Sequence, residues 1–133
     1  MRLYDTEGKL VSVRINRSDY ELREKSRSNI QKEIGCLLKK RFPLCTILEE
    51  WPIPGKTGMV FDFVILPEKI VVEVQGEQHN KFVKHFHGDL EGFKRHKQRD
   101  QNKRDWCNIN RFTLIEIEKS EEFNDLFGEK HAK

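Results

Sequence analysis

Two acidic residues sit at matching places in the two arms of an apolar hairpin, and no other feature of the chain constrains its fold as tightly. Phe61-Asp62-Phe63-Val64-Ile65-Leu66 and Lys69-Ile70-Val71-Val72-Glu73-Val74-Gln75-Gly76 flank Pro67-Glu68. Both arms are rich in β-branched and aromatic residues, so the segment reads as strand, turn, strand. With Pro67-Glu68 as the turn, Leu66 pairs with Lys69, and the residue numbers of every cross-strand pair add to 135. Asp62 then lies opposite Glu73, with Cβ atoms roughly 5 Å apart. Two carboxylates at that spacing among Phe, Val and Ile repel each other and are costly to desolvate. A hard divalent cation, Mg²⁺ or Mn²⁺, removes both objections. The alternative is a hairpin with one solvated face, where Asp62 and Glu73 point at water. A turn of another length changes the register: an even shift keeps the acids on one face, an odd shift separates them.

The 133 residues suit one domain with a modest core. No apolar run approaches the ~20 residues of a membrane span, and the start lacks the apolar stretch of a signal peptide. With 35% charged residues and a mean hydropathy of −0.76, the expectation is a soluble, cytoplasmic protein with no membrane partner. Three cysteines, Cys36, Cys45 and Cys107, lack CxxC spacing and fit reduced intracellular thiols better than a disulfide frame or a zinc site. The net charge of +3 is unevenly spread: between His79 and Arg104 eight basic residues stand against three acids. A basic stretch directly after an acidic hairpin suits a polyanionic substrate, although a solvated helix face has the same composition.

Along the chain, residues 2–15 read as a small hairpin turning at Asp5-Thr6-Glu7-Gly8, and residues 16–28 as a charged linker or exposed helix. A helix is predicted from Asn29 to Phe42, with Ile30, Ile34, Leu37, Leu38 and Phe42 on one face. Glu33 shares that stripe. Either its stem packs while its head reaches water, or it points at the same cation as the hairpin. Pro43 ends the helix, and Leu44 to Trp51 reads as a strand. Gly55-Lys56-Thr57 is not a P-loop, because the first glycine of that pattern is missing and no helix follows. A second helix is predicted over Leu90 to Cys107, a last strand over Arg111 to Ile117, and a polar tail over 118–133 with one amphipathic turn at Phe123, Leu126 and Phe127. In the second helix Phe93, His96, Asp100, Lys103 and Cys107 form a stripe that is ionisable in its middle. Such a helix either crosses the rim of a polar pocket or carries an internal Asp100–Lys103 pair on a solvated face.

The resulting order, helix, three strands, helix, strand, resembles the αβββαβ core of the PD-(D/E)XK nuclease superfamily. Glu73-Val74-Gln75-Gly76-Glu77-Gln78-His79 is similar to the E-x-D-G-x-Q-H segment of its very-short-patch-repair-like branch, which includes phage and homing endonucleases with an EDxHD signature. The likeness continues through Phe93, Arg99-Asp100, Lys103, Trp106-Cys107 and Leu114-Ile115-Glu116-Ile117, and covers about residues 29–117. It implies a restriction-endonuclease-like α/β fold, a mixed central sheet flanked by helices, preceded here by the N-terminal hairpin of the 1–28 segment.

The signature falls on Glu33, Asp62, His79 and Asp100, with Glu73 and Gln75 in the strand motif. The resemblance implies Mg²⁺ or Mn²⁺ held by Asp62, Glu73 and the Val74 carbonyl, with Glu33 contributing directly or through water. His79 would be the general base, its unperturbed pKa of about 6.5 suiting the task. Asp100 would orient it or help place the metal, while Lys94, Lys97, Arg99, Lys103 and Arg104 would grip DNA phosphates. Gln75 stands where much of the superfamily has lysine. An amide cannot take a proton from water, so Gln75 can only orient water or phosphate. The expected function is DNA cleavage of phage or mobile-element type, in the host cytoplasm if phage-encoded, with sequence specificity either low or supplied by a homodimer or another polypeptide. The alternatives are a non-catalytic DNA-binding or interaction module that kept the fold, and an RNA-directed nuclease.

Overall fold

The computed structural model describes residues 1–15, 29–55, 58–75 and 90–128, without the side chains of Phe93 and His96. The central hairpin forms in the register that a turn at Pro67-Glu68 predicts. Strands β4 (Val60–Leu66) and β5 (Ile70–Val74) pair Phe63 with Val72, Val64 with Val71 and Ile65 with Ile70, and each pair adds to 135. Between them Lys69 takes a positive φ of 59° to turn the chain. The sequence alternates its apolar side chains to both faces here, and a one-residue slip would have moved every one of them.

Strands β1 (Arg2–Tyr4) and β2 (Leu10–Ser12) form a separate antiparallel hairpin at the N-terminus. Strand β3 (Thr46–Pro52) pairs antiparallel with β4, and β6 (Thr113–Ile117) runs parallel to β5, giving the order β3-β4-β5-β6 among the described residues. A parallel neighbour requires a long crossover. Here it includes helix α2 (Leu90–Ile109), which lies between β5 and β6 in sequence. The fold is α/β with a mixed four-stranded sheet.

Each face of the sheet has its own core. On one side Leu48, Val64, Val71 and Phe61 pack with Trp106, Cys107 and Phe112 of α2 and the segment after it. On the other, Ile47, Phe63, Ile65, Val72 and Ile117 pack against Ile34 and Leu38 of helix α1 (Asn29–Arg41). Lys39, Lys40 and Arg41 occupy the last turn of α1, where positive charge complements the helix dipole.

The amphipathic turn expected after β6 forms: a 3₁₀ turn (Ser120–Glu122) leads into α3 (Phe123–Phe127), whose two phenylalanines are buried in the α1-side core. Phe127 meets Phe42 edge-on at 5.9 Å and Phe123 at 4.6 Å, and its carbonyl accepts from Arg41 Nε at 2.8 Å. Glu33 does not share the inward stripe of α1. That stripe is Gln31, Ile34, Gly35 and Leu38, and Glu33 is exposed. It lines a surface groove with Lys32, Cys36, Ser120 and Glu121 instead.

The N-terminal hairpin is docked rather than appended. Leu3 is buried in the α2-side core, and Asn110, just past α2, holds Tyr4 by accepting its N–H at 2.7 Å and donating to its carbonyl at 2.9 Å. The charged linker read at 16–28 lies outside the described residues. Among the described residues no helix is long and apolar enough to cross a membrane.

Candidate active site

The site begins with a fault in strand alternation. β3 and β4 stay in register on both sides of one position, pairing Glu49 with Phe63 and Trp51 with Phe61, but Glu50 and Asp62 between them are not paired. Glu50 adopts a positive φ of 54°, an uncommon conformation for a residue with a side chain. The faces change over here: Phe63 joins the α1-side core, whereas Phe61, two residues away, joins the α2-side core. Regular period-2 geometry would have placed both on one side.

On the other edge of β4 the ladder to β5 also stops, after Phe63–Val72. The acids supply the missing acceptors. Asp62 N–H donates to Glu73 Oε2 at 2.7 Å, and Val74 N–H donates to Asp62 Oδ2 at 2.8 Å. The two side chains therefore face each other as the register predicts, and each accepts from the backbone of the opposite strand. The ladder ends at this point, and part-buried N–H groups beyond it are satisfied by carboxylates.

Glu73 follows Val71 on the α2 side and is only 6% exposed. From α2, Lys103 Nζ reaches Glu73 Oε1 at 2.5 Å. This part of α2 is thus not a solvated face: Lys103 turns inward onto Glu73, and Asp100 is buried. Burial pushes the Glu73 carboxyl up to about 7, and the Asp62 charge adds to this, while Lys103 pulls the other way. Burial likewise raises Asp62, opposed by the Val74 N–H and Lys103 and reinforced by Glu50. Cys107, one turn beyond Lys103, is raised to about 12 by burial and by Glu73, which leaves its thiol protonated and unreactive.

Of the residues expected at the site, the structure brings together Asp62, Glu73 and Lys103. Gln75 is buried next along β5, and its N–H donates to the Ile117 carbonyl at 2.8 Å. Glu33 is on the helix that covers the opposite sheet face and is not part of the cluster. His79 lies outside the described residues. Lys94, Arg99 and Arg104 are exposed on α2 and Lys97 is half-buried, with Arg104 Nε 3.4 Å from Glu116 Oε1 on β6.

Sequence reading missed two acids. Glu49 is buried and accepts from Gln31 Nε2 of α1 at 2.8 Å, while Glu50 adds negative potential at Asp62. The signal was present in Ile47-Leu48-Glu49-Glu50-Trp51, which fits no single alternating pattern.

The donor set suits a hard cation. Asp62 and Glu73 present carboxylate oxygens at one buried point, and a positive charge, the Lys103 ammonium, is already held there. Asp62, Glu73 and the neighbouring Val74 carbonyl are the groups that would hold Mg²⁺ or Mn²⁺. Among the described residues no group of three or more His, Cys, Asp or Glu side chains forms a ready ligand cluster.

No family model matches the chain, and no solved structure matches it. A stretch of 49 residues is 49% identical to "Uncharacterized protein 307L" of Invertebrate iridescent virus 6. That stretch is 37% of this chain and 25% of the viral protein, so the chain spans about a quarter of the length of the curated relative it matches.

Proposed function

We propose that this chain is a metal-dependent endonuclease of the PD-(D/E)XK type that hydrolyses phosphodiester bonds in DNA. The observation that carries the reading is the meeting of Asp62, Glu73 and Lys103 from two strands and a helix at one buried point. The αβββαβ order around it supports the same reading.

A divalent cation bound by Asp62 and Glu73 would supply Lewis acidity and neutralise charge at the scissile phosphate. The chain's own groups do the rest. Asp62 and Glu73 are fixed by backbone N–H donors from the opposing strands, so their oxygens need little rearrangement during reaction. Lys103 brings an ammonium within reach of a phosphate oxygen beside the carboxylates, supplying the charge that Gln75 cannot. Gln75 orients water or phosphate through its amide. His79, by its motif position, takes the proton of the attacking water. Lys94, Lys97, Arg99 and Arg104 line α2 beside the site and contact the backbone of the duplex.

The test is nicking of supercoiled plasmid in Mg²⁺ or Mn²⁺ by the wild type and by Asp62→Ala. Metal-dependent nicking by the wild type and a loss of at least about a hundredfold in the variant is the expected result. Equal activity in both, or none in the wild type on any DNA, counts against the proposal. One observation favours a second reading. The acid pair is already neutralised in part by Lys103, and Gln75 cannot act as a base, as in a module that binds DNA without cutting it. Salt-sensitive DNA binding with no uptake of Mn²⁺ would select that reading. Comparing a ribo-substrate with its deoxy equivalent separates an RNA-directed nuclease from both.

A further inference from the structure

The oxygens that a metal would need are in use. Both oxygens of Glu73 are engaged, Oε1 by Lys103 Nζ and Oε2 by the Asp62 N–H, and Asp62 Oδ2 is engaged by the Val74 N–H. The two backbone donors are fixed by the strands. Lys103 is not: it is a flexible side chain, 19% exposed, and it reaches in from a separate element. A cation held by Asp62 and Glu73 would compete with the Lys103 ammonium for Glu73, since Lys103 is the partner there that can move away.

The exchange reverses the sign of the site. Two carboxylates with Lys103 leave the cluster with a net negative charge, which repels a phosphodiester. Replacing Lys103 by a divalent ion neutralises the carboxylates and leaves the ammonium displaced but tethered beside them, so the same spot becomes positive. A displaced ammonium with no partner is unfavourable in a half-buried site, and a phosphate oxygen supplies that partner.

We propose that Lys103 is a latch that couples loading of the metal to arrival of nucleic acid: it holds the cation's place in the free protein and moves onto a substrate phosphate when the cation binds. This rests on the metal-site reading above and extends it. Alone, the protein takes up Mn²⁺ weakly. With a DNA duplex bound it takes up Mn²⁺ more tightly, and by reciprocity Mn²⁺ tightens its hold on the duplex.

The experiment is titration of Mn²⁺ followed by the electron paramagnetic resonance signal of the free ion, with and without a short DNA duplex held at low temperature for less time than cleavage needs. It compares the wild type, Lys103→Met and Lys103→Gln, with Asp62→Ala as the control for binding at this site. Circular dichroism establishes that each is folded, and the glutamine variant keeps a hydrogen-bond donor for Glu73 should the methionine variant unfold. The expected result is Mn²⁺ affinity in the wild type rising about tenfold or more with duplex. In either variant Mn²⁺ binds tighter than wild type without duplex, and duplex adds little. Asp62-dependent Mn²⁺ binding that is the same in wild type and variants overturns the latch while leaving the metal site standing. Absence of Mn²⁺ binding from every protein, with and without duplex, overturns both.

Discussion

Asp62 and Glu73 each accept a backbone N–H from the strand that bears the other, so the carboxylates bridge the point where their own sheet comes apart. They are structural acceptors and a concentrated negative charge at once. Their protonation is therefore tied to folding as well as to any chemistry they perform.

The first prediction concerns pH. Burial and Asp62 raise Glu73 from about 4.5 to about 7, so the folded protein holds this proton more tightly than the unfolded chain does. The stabilisation is complete below about 4.5 and is lost as pH rises through about 7. Melting temperatures of metal-free wild type and Glu73→Gln, measured from about pH 4 to about pH 8.5, should diverge across that window. The wild type should fall relative to the variant by an amount worth up to a few kcal/mol. Parallel curves would show that Glu73 titrates normally.

The second concerns Asn110. Its side chain satisfies both the N–H and the carbonyl of Tyr4 and also donates to the Trp106 carbonyl at 3.1 Å. Asn110→Ala strands polar backbone groups at a part-buried joint and should cost about 1–3 kcal/mol. Urea unfolding reads this as a lower midpoint at unchanged slope, whereas an unchanged midpoint would mean that water replaces the amide without loss.

The third separates binding from stability. Arg104 and Glu116 are both substantially exposed, and a pair of this kind contributes at most about 1 kcal/mol. Arg104→Ala should leave the melting temperature nearly unchanged. On the nuclease reading it should weaken duplex binding and lower the slope of log affinity against log salt by about 1. An unaltered slope would remove Arg104 from the interface.

The fourth concerns the C-terminal helix. Phe127 is buried between Phe42 and Phe123, so Phe127→Ala opens a cavity in the α1-side core and should cost about 3–5 kcal/mol. A cost below about 1 kcal/mol, read from the same urea curves, would mean that this segment detaches freely, on the scale set by ordinary surface substitutions of about 0.5 kcal/mol.

The register of the hairpin was legible because Pro67-Glu68 interrupts two apolar β-branched runs, and a two-residue turn there fixes every pair, Phe63 with Val72 and Ile65 with Ile70 among them. Lys103 was legible as one of three ionisable residues in the middle of a helix stripe that is apolar at its ends. Glu33 was misread because it lies between Ile30 and Leu37, which are themselves only half-buried. The true axis of α1 runs through Gln31, Ile34, Gly35 and Leu38, and Gln31 is inside because Glu49 receives its amide. A polar residue that is buried to meet another looks like a surface residue in the sequence. Glu50 was missed for a related reason: its backbone takes a left-handed turn that period-2 reasoning does not anticipate.

The clasp of Asn110 on Tyr4 has a mechanical corollary. It grips the chain two turns beyond Lys103, so the small N-terminal hairpin acts as the abutment for the helix that delivers the ammonium. Removing residues 1–15 would spare every charged group at the centre and yet unseat the strut that aims one of them. An appendage that looks expendable is, in this architecture, part of the alignment of the machine.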